Sequence, residues 1–252
     1  MNAEALLAAL NLPVSCRLDR RVPKKLLLVN GAPTAADKRR INEGIEEFFW
    51  IAALKPTTIG VPEYRDAERE YVEIAVLRVI LRAGAKTTRL LELVHRAVPY
   101  PLLLIAEQTG RTIISTVHKR RAKSEADKTV LDGEIVVADC DIDLDAGFLP
   151  AFFAALALER QSHASLYSLY QGWTDTLFAL KAARLTGVFS LFSDVGRTTA
   201  RQEALRECVR LDVEIARLRA AAAGEKQMPR QVELNMEIRR MEAAMVLVKE
   251  RL

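Results

Sequence analysis

Cysteine is scarce in this chain: Cys16, Cys140 and Cys208 are the whole complement, far apart and with no CxxC pair. That excludes a disulfide-stapled scaffold and a zinc ribbon, and it suits a reducing compartment, so a cytoplasmic location is expected. No stretch approaches the roughly 20 uninterrupted apolar residues that a bilayer span needs, so no membrane partner is expected. The opening MNAEALLAALNLP has no basic lead-in and only a short apolar run, and reads as a small helix over residues 3–10, not a signal peptide. GxGxxG, GxSxG, HExxH and the phosphate-loop signature are all missing, so no cofactor and no metal is implied. An excess of one charge is missing too. The 37 basic and 33 acidic residues leave +4, which permits contact with nucleic acid without requiring it.

What is present is a large apolar fraction, half of the residues, enough for a substantial core. The run Leu26 to Val29 predicts a buried strand entering a turn at Asn30-Gly31. Thr34, three residues before Asp37, marks a helix start, and Ile41, Ile45, Phe48 and Ala52 at helical spacing predict an amphipathic helix over 35–54. The alternating stretch 71–81 predicts a long strand, followed by a helix capped by Thr87 or Thr88 that runs to Val98. Pro99-Tyr100-Pro101 stops it, and either X-Pro bond is a candidate for the cis form. Leu102 to Ile105 and Thr112 to Val117 predict a hairpin around Thr109-Gly110, and 134–139 a further strand. The order β-α-β-β-α-β-β-β describes an α+β domain, a mixed sheet with packed helices, over residues 1–147.

From Phe148 onward the pattern is helical. A helical region is expected over 148–199, with Leu166, Tyr170, Trp173, Leu177 and Leu180 at 3-and-4 spacing. Over 200–252 two heptad seams follow, Ala204, Cys208, Leu211, Ile215, Leu218, Ala222 and then Leu234, Ile238, Met241, Met245, Val248, Leu252. The break at 224–229 is so short that the two helices should fold back as an antiparallel coiled-coil hairpin.

Four constellations have chemistry to offer. His95 and Arg96, with Tyr100 beyond them, suit a phosphate contact or a proton shuttle, or else a half-buried structural histidine beside a proline-shaped turn. His118, Lys119, Arg120 and Arg121 follow a strand, so they are expected in a basic loop that contacts phosphate or is simply solvated. Arg17, Arg20, Arg21, Lys24 and Lys25 form a second cluster of the same kind. Neither cluster interleaves with aromatics as single-strand binding surfaces do. The alternating aspartates 139–145 fail as a calcium loop, since Leu144 stands where glycine is needed and Pro150 where glutamate is. Glu68, Glu70 and Glu73 suggest a nuclease carboxylate set, but the strand that follows lacks the lysine such a site uses. A hydrolase or nuclease built on His95 and His118 with a carboxylate is therefore one alternative, and a structural oligomer another.

The segments VPKKLLLVNGAPTAADKRRINEGIEEFFWIAALKPTTIGV, LLELVHRAVPYPLLLI, STVHKR, LKAARLTG and QVELNMEIRRME fall in order along nearly the whole chain. They resemble an uncharacterised bacterial family built on a domain of unknown function. Its members tend to be encoded beside helicases and type III-like DNA methyltransferases in phage-defence islands. The resemblance implies a non-enzymatic accessory subunit of a DNA-modification or defence system. Its protein partner, a helicase, a methyltransferase or a second copy, would be held by the hairpin, and the basic clusters add DNA as a candidate ligand. The family brings no catalytic residues with it.

Overall fold

A computed structural model describes residues 3–122, 129–140 and 146–252. Contacts divide the chain into two compact units, Met1–Leu177 and Phe178–Leu252. The architecture is α+β: a mixed sheet with helices, then a helical C-terminal region. Among the described residues no helix is long and apolar enough to cross a membrane, and no peptide bond is cis, the two in Pro99-Tyr100-Pro101 included.

In the first unit, α1 (Ala3–Ala9) leads to β1 (Arg17–Arg21), α2 (Lys25–Asn30), α3 (Ala35–Gly44) and β2 (Ile45–Leu54). A short turn of helix, α4 (Pro56–Ile59), and the small ribbon β3 (Tyr64–Arg65) and β4 (Glu70–Tyr71) precede β5 (Ile74–Leu81). Then come α5 (Thr87–Ala97), β6 (Leu102–Gln108), β7 (Arg111–Arg121), β8 (Thr129–Cys140), α6 (Leu149–Leu156) and α7 (Leu166–Thr186), within which the first unit ends. The six-stranded sheet has the order β1-β2-β5-β6-β7-β8. Only β5 and β6 run parallel, because α5 is the crossover between them. Ala75, Leu77 and Val79 of β5, Leu102, Leu104 and Ala106 of β6 and Leu90, Leu91, Leu93 and Val94 of α5 form one buried cluster, so α5 covers this face of the sheet. The hairpin at Thr109-Gly110 closes on two residues with positive φ, 46° and 78°, as a two-residue turn of this twist requires.

The structure corrects several sequence expectations. Leu26 to Val29 is helical, and only Leu27 is deeply buried while Leu26 and Val29 face solvent. A four-residue apolar run is too short for periodicity to separate helix from strand. The segment 35–54 is a helix only to Gly44 and then becomes β2. Thr34 Oγ1 does accept the Asp37 amide at 3.1 Å, as its cap position demands. The helix ends at Gly44, a residue of poor helix propensity, where the backbone packs closely enough on Leu90 that a Cβ would lie 2.6 Å from its Cδ1. Beyond it Phe48, Phe49, Trp50 and Ile51 favour the pleated state. Ile41, Ile45, Phe48 and Ala52 are all buried, but through a helix-to-strand switch that happens to mimic 3-and-4 spacing. The stretch 71–81 is divided between β4 and β5. Lys86, not a threonine, precedes α5, and Thr87 instead donates to Gln108 Oε1 at 2.7 Å.

In the second unit, α8 (Val195–Gly224) starts on Asp194, whose carboxylate accepts the Arg197 amide at 2.8 Å, and α9 (Met228–Lys249) runs back along it. The six seam positions of α8 from Ala204 to Ala222 are all buried, as are Leu234, Ile238 and Met245 of α9. They divide into two packed clusters, with Cys208, Leu211, Ile215 and Met245 in one and Leu218, Ala222, Leu234 and Ile238 in the other. Arg219 pairs with Glu242 at 2.6 Å, and the Gln231 side chain donates to the Ala222 carbonyl at 3.3 Å, which sets the antiparallel register.

Candidate functional site

The end of α5 brings together two of the constellations. The apolar stripe of α5 faces the sheet, so His95, one position beyond Val94, is carried under the helix and fully buried. Its Nε2 lies 3.0 Å from Ser115 Oγ on β7, and its Nδ1 has no hydrogen-bond partner among the described residues. Burial pushes the imidazole down to about 3, with the nearby Lys119 ammonium adding to the effect. Lys119, placed by sequence in a basic loop, is a buried strand residue. His118 to Arg121 all pair with β8, opposite Asp132, Leu131, Val130 and Thr129. The Lys119 ammonium donates to the carbonyls of His95, at 2.6 Å, and of Val98. These belong to the last turn of α5, whose carbonyls have no partner within the helix, so Lys119 acts as its cap. Burial pushes the amine down to about 7.

His118 occupies the other face. Ser115 and Lys119 reach α5, whereas His118, of opposite parity on the strand, meets Tyr71, Tyr167 and Tyr170. Its Nδ1 lies 2.6 Å from the Tyr71 hydroxyl, and burial pushes the ring down to about 4. Tyr64 stacks on Tyr167 with centroids 4.8 Å apart, so four of the five tyrosines in the chain gather here. The Tyr170 hydroxyl sits between the carbonyls of Leu102 and Val117 and accepts the Val117 amide at 2.9 Å. It bridges β6 and β7 beyond Leu104↔Ser115, the last pair of their ladder on that side. Burial raises both the Tyr71 and the Tyr170 phenols. His95 and His118 thus lie on opposite sides of the sheet and are neutral at physiological pH, which removes the paired-histidine active site. Among the described residues no cluster of histidine, cysteine and carboxylate could hold a metal ion.

The two basic clusters fare differently. Around the end of β7, Arg120 lies 3.9 Å from Asp132, and Arg121 3.2 Å from Glu70. Arg69 is 2.7 Å from Asp132, and Arg65 3.0 Å from Glu63. Lys123 and the acidic residues that follow it lie outside the described residues, as do the aspartates 141–145. By contrast, all five residues of β1 are exposed, and β1 is an edge of the sheet. Arg17 pairs with Asp19 and Arg21 with Glu47, and Lys24 donates to the Ile45 carbonyl. Arg20 and Lys25 are exposed and make no ion pair with a described residue. Arg96 is half exposed and pairs with Glu92 at 2.7 Å, and Tyr100 packs on the α5 cluster. The tyrosine cluster was missed by sequence, because it is assembled from three distant segments, the β3–β4 ribbon, β7 and α7. The carboxylate Glu73 is buried against Lys55 at 3.0 Å, a structural pair and not part of a nuclease set.

A family model, described as a domain of unknown function, DUF4391, matches residues 10–245. The chain belongs to the DUF4391 family. No curated protein and no solved structure matches it. The family match spans the sheet, α7 and nearly all of the hairpin, so the architecture above is that of the DUF4391 domain itself.

Proposed function

We propose that this DUF4391 chain is a non-enzymatic accessory subunit of a bacterial DNA-modification or phage-defence system. It would hold a protein partner through the α8–α9 hairpin and DNA along the β1 edge. The observation that carries the reading is how the reactive side chains are used. His95, fully buried, and His118, half-buried, are neutral and on opposite faces, and Lys119 caps a helix. Each of these groups is committed to a partner within the fold, His95 to Ser115, His118 to Tyr71 and Lys119 to the carbonyls of His95 and Val98, as buried polar groups in a structural role are. The exposed arginines and lysine of β1 and α2, in contrast, can neutralise phosphates.

The hairpin supports the partner half of the reading. Val209 and Val213 on α8 and Val232, Met236, Val246 and Leu247 on α9 lie off the buried seam and are more than half exposed. Apolar residues in that number on the outside of a two-helix element suit a protein contact. The resemblance drawn from the sequence implies a helicase or a type III-like methyltransferase as the kind of partner. Affinity capture of the tagged chain from its native host tests this, beside the variant Val213→Asp/Met236→Asp. A helicase or methyltransferase polypeptide should co-purify with the parent chain and be lost from the variant, with the fold unchanged. Capture of neither, or equal capture by both, would overturn the partner assignment.

A further inference from the structure

Beside the capped end of α5 lies an open cavity of about 410 Å³. That is within the range of small-ligand sites. Two basic side chains line it, Arg96 from the last turn of α5 and Lys119 from β7, and among the described residues no carboxylate does. The rest of its wall is largely apolar, with Val29 and Pro33 on the α2–α3 side and Val130 and Leu131 on β8. Lys119 is 3% exposed, a rare degree of burial for a lysine. In its protonated form the Lys119 amine has three N–H bonds, of which the His95 and Val98 carbonyls take two, so an anion beside it would favour that form and receive the third. Arg96 is half exposed, and its ion pair to Glu92 engages only one of its nitrogens.

The geometry points to a binding site for a small organic anion, with a carboxylate or phosphate head on Arg96 and Lys119 and an apolar body against Val29, Pro33, Val130 and Leu131. An anionic head is selected because the wall offers two basic side chains and, among the described residues that line it, no carboxylate. An apolar body is selected because the walls away from those cations are mainly side-chain hydrocarbon. A ligand there would touch the α2–α3 connection, α5, β7 and β8 together.

The site is tested by calorimetric titration of the full chain with four probes. Phenyl phosphate and benzoate carry both head and body, inorganic phosphate only a head, and benzyl alcohol only a body. Saturable binding is expected for phenyl phosphate, benzoate or both, and the tighter of the two identifies the head. Inorganic phosphate and benzyl alcohol should bind at least tenfold more weakly. Two variants localise it. Arg96→Gln removes one cation from a half-exposed position, and Val130→Trp fills the cavity from a partly exposed strand position, so neither disturbs the core. Each should weaken the best probe at least tenfold while the thermal melt stays that of the parent. Absence of binding by both anionic probes would overturn the proposal. So would equal binding of benzyl alcohol, or undiminished binding in folded Val130→Trp.

Discussion

A lysine amine held on two carbonyls at the end of a helix is a cap before it is a charge, and Lys119 illustrates the difference. Replacing it with Met keeps the volume but leaves the His95 and Val98 carbonyls without a donor. Stability should fall by about 1–3 kcal/mol in chemical denaturation, with DNA binding unaffected. The histidines set a pH dependence. Burial holds His95 near 3 and His118 near 4, whereas an unfolded histidine titrates near 6.5. Between about pH 6.5 and 4 the unfolded chain therefore takes up protons that the folded chain refuses, so stability falls as pH falls. Each histidine contributes at most about 1.4 kcal/mol per pH unit. Denaturation midpoints across that window should show the decline, and His95→Gln should make it shallower. A slope the same in parent and variant would contradict the buried, neutral assignment.

At the scale of elements, legibility followed how much of each signal was local. The α8–α9 hairpin was readable because six seam positions in each of its two runs repeat at a near-fixed spacing, and all six on α8 and three on α9 are buried. A charge at Leu218 should open it at a cost of about 2 kcal/mol or more, whereas Val213→Asp, at an exposed position, should leave the melt unchanged. The α3–β2 switch was not readable, since β2 is defined by its pairing with β1 and β5, and the apolar positions on either side of the switch mimic helical spacing. Nor was the close packing at Gly31, where a Cβ would lie 2.6 Å from the Leu93 carbonyl oxygen and from Ala97 Cβ. Backbone cannot step aside as a side-chain tip can, so Gly31→Ala should destabilise by roughly 1–3 kcal/mol. The candidate site was half readable. His95, Arg96 and Lys119 were singled out as cationic and histidine-bearing residues, and the structure places them around the end of α5. Their placement was not readable, because strand pairing with β8 buried Lys119 and turned His118 to the opposite face.

For the whole molecule, the two clusters that looked equivalent as sequence become unequal as surface. The β7 arginines are matched by Asp132 and Glu70, while β1 lies at the sheet edge with Arg20 and Lys25 uncommitted. The salt dependence of DNA binding separates them most directly, because removing one cation from a phosphate lowers the slope of log affinity against log salt by about one. Affinity for a short duplex would be measured from low to moderate salt for the parent chain, Arg20→Ala/Lys25→Ala and Arg120→Ala/Arg121→Ala. The account predicts a slope shallower by up to about two in the first variant and unchanged in the second. A shallower slope in the Arg120/Arg121 variant alone, or no binding by the parent chain at low salt, would contradict it.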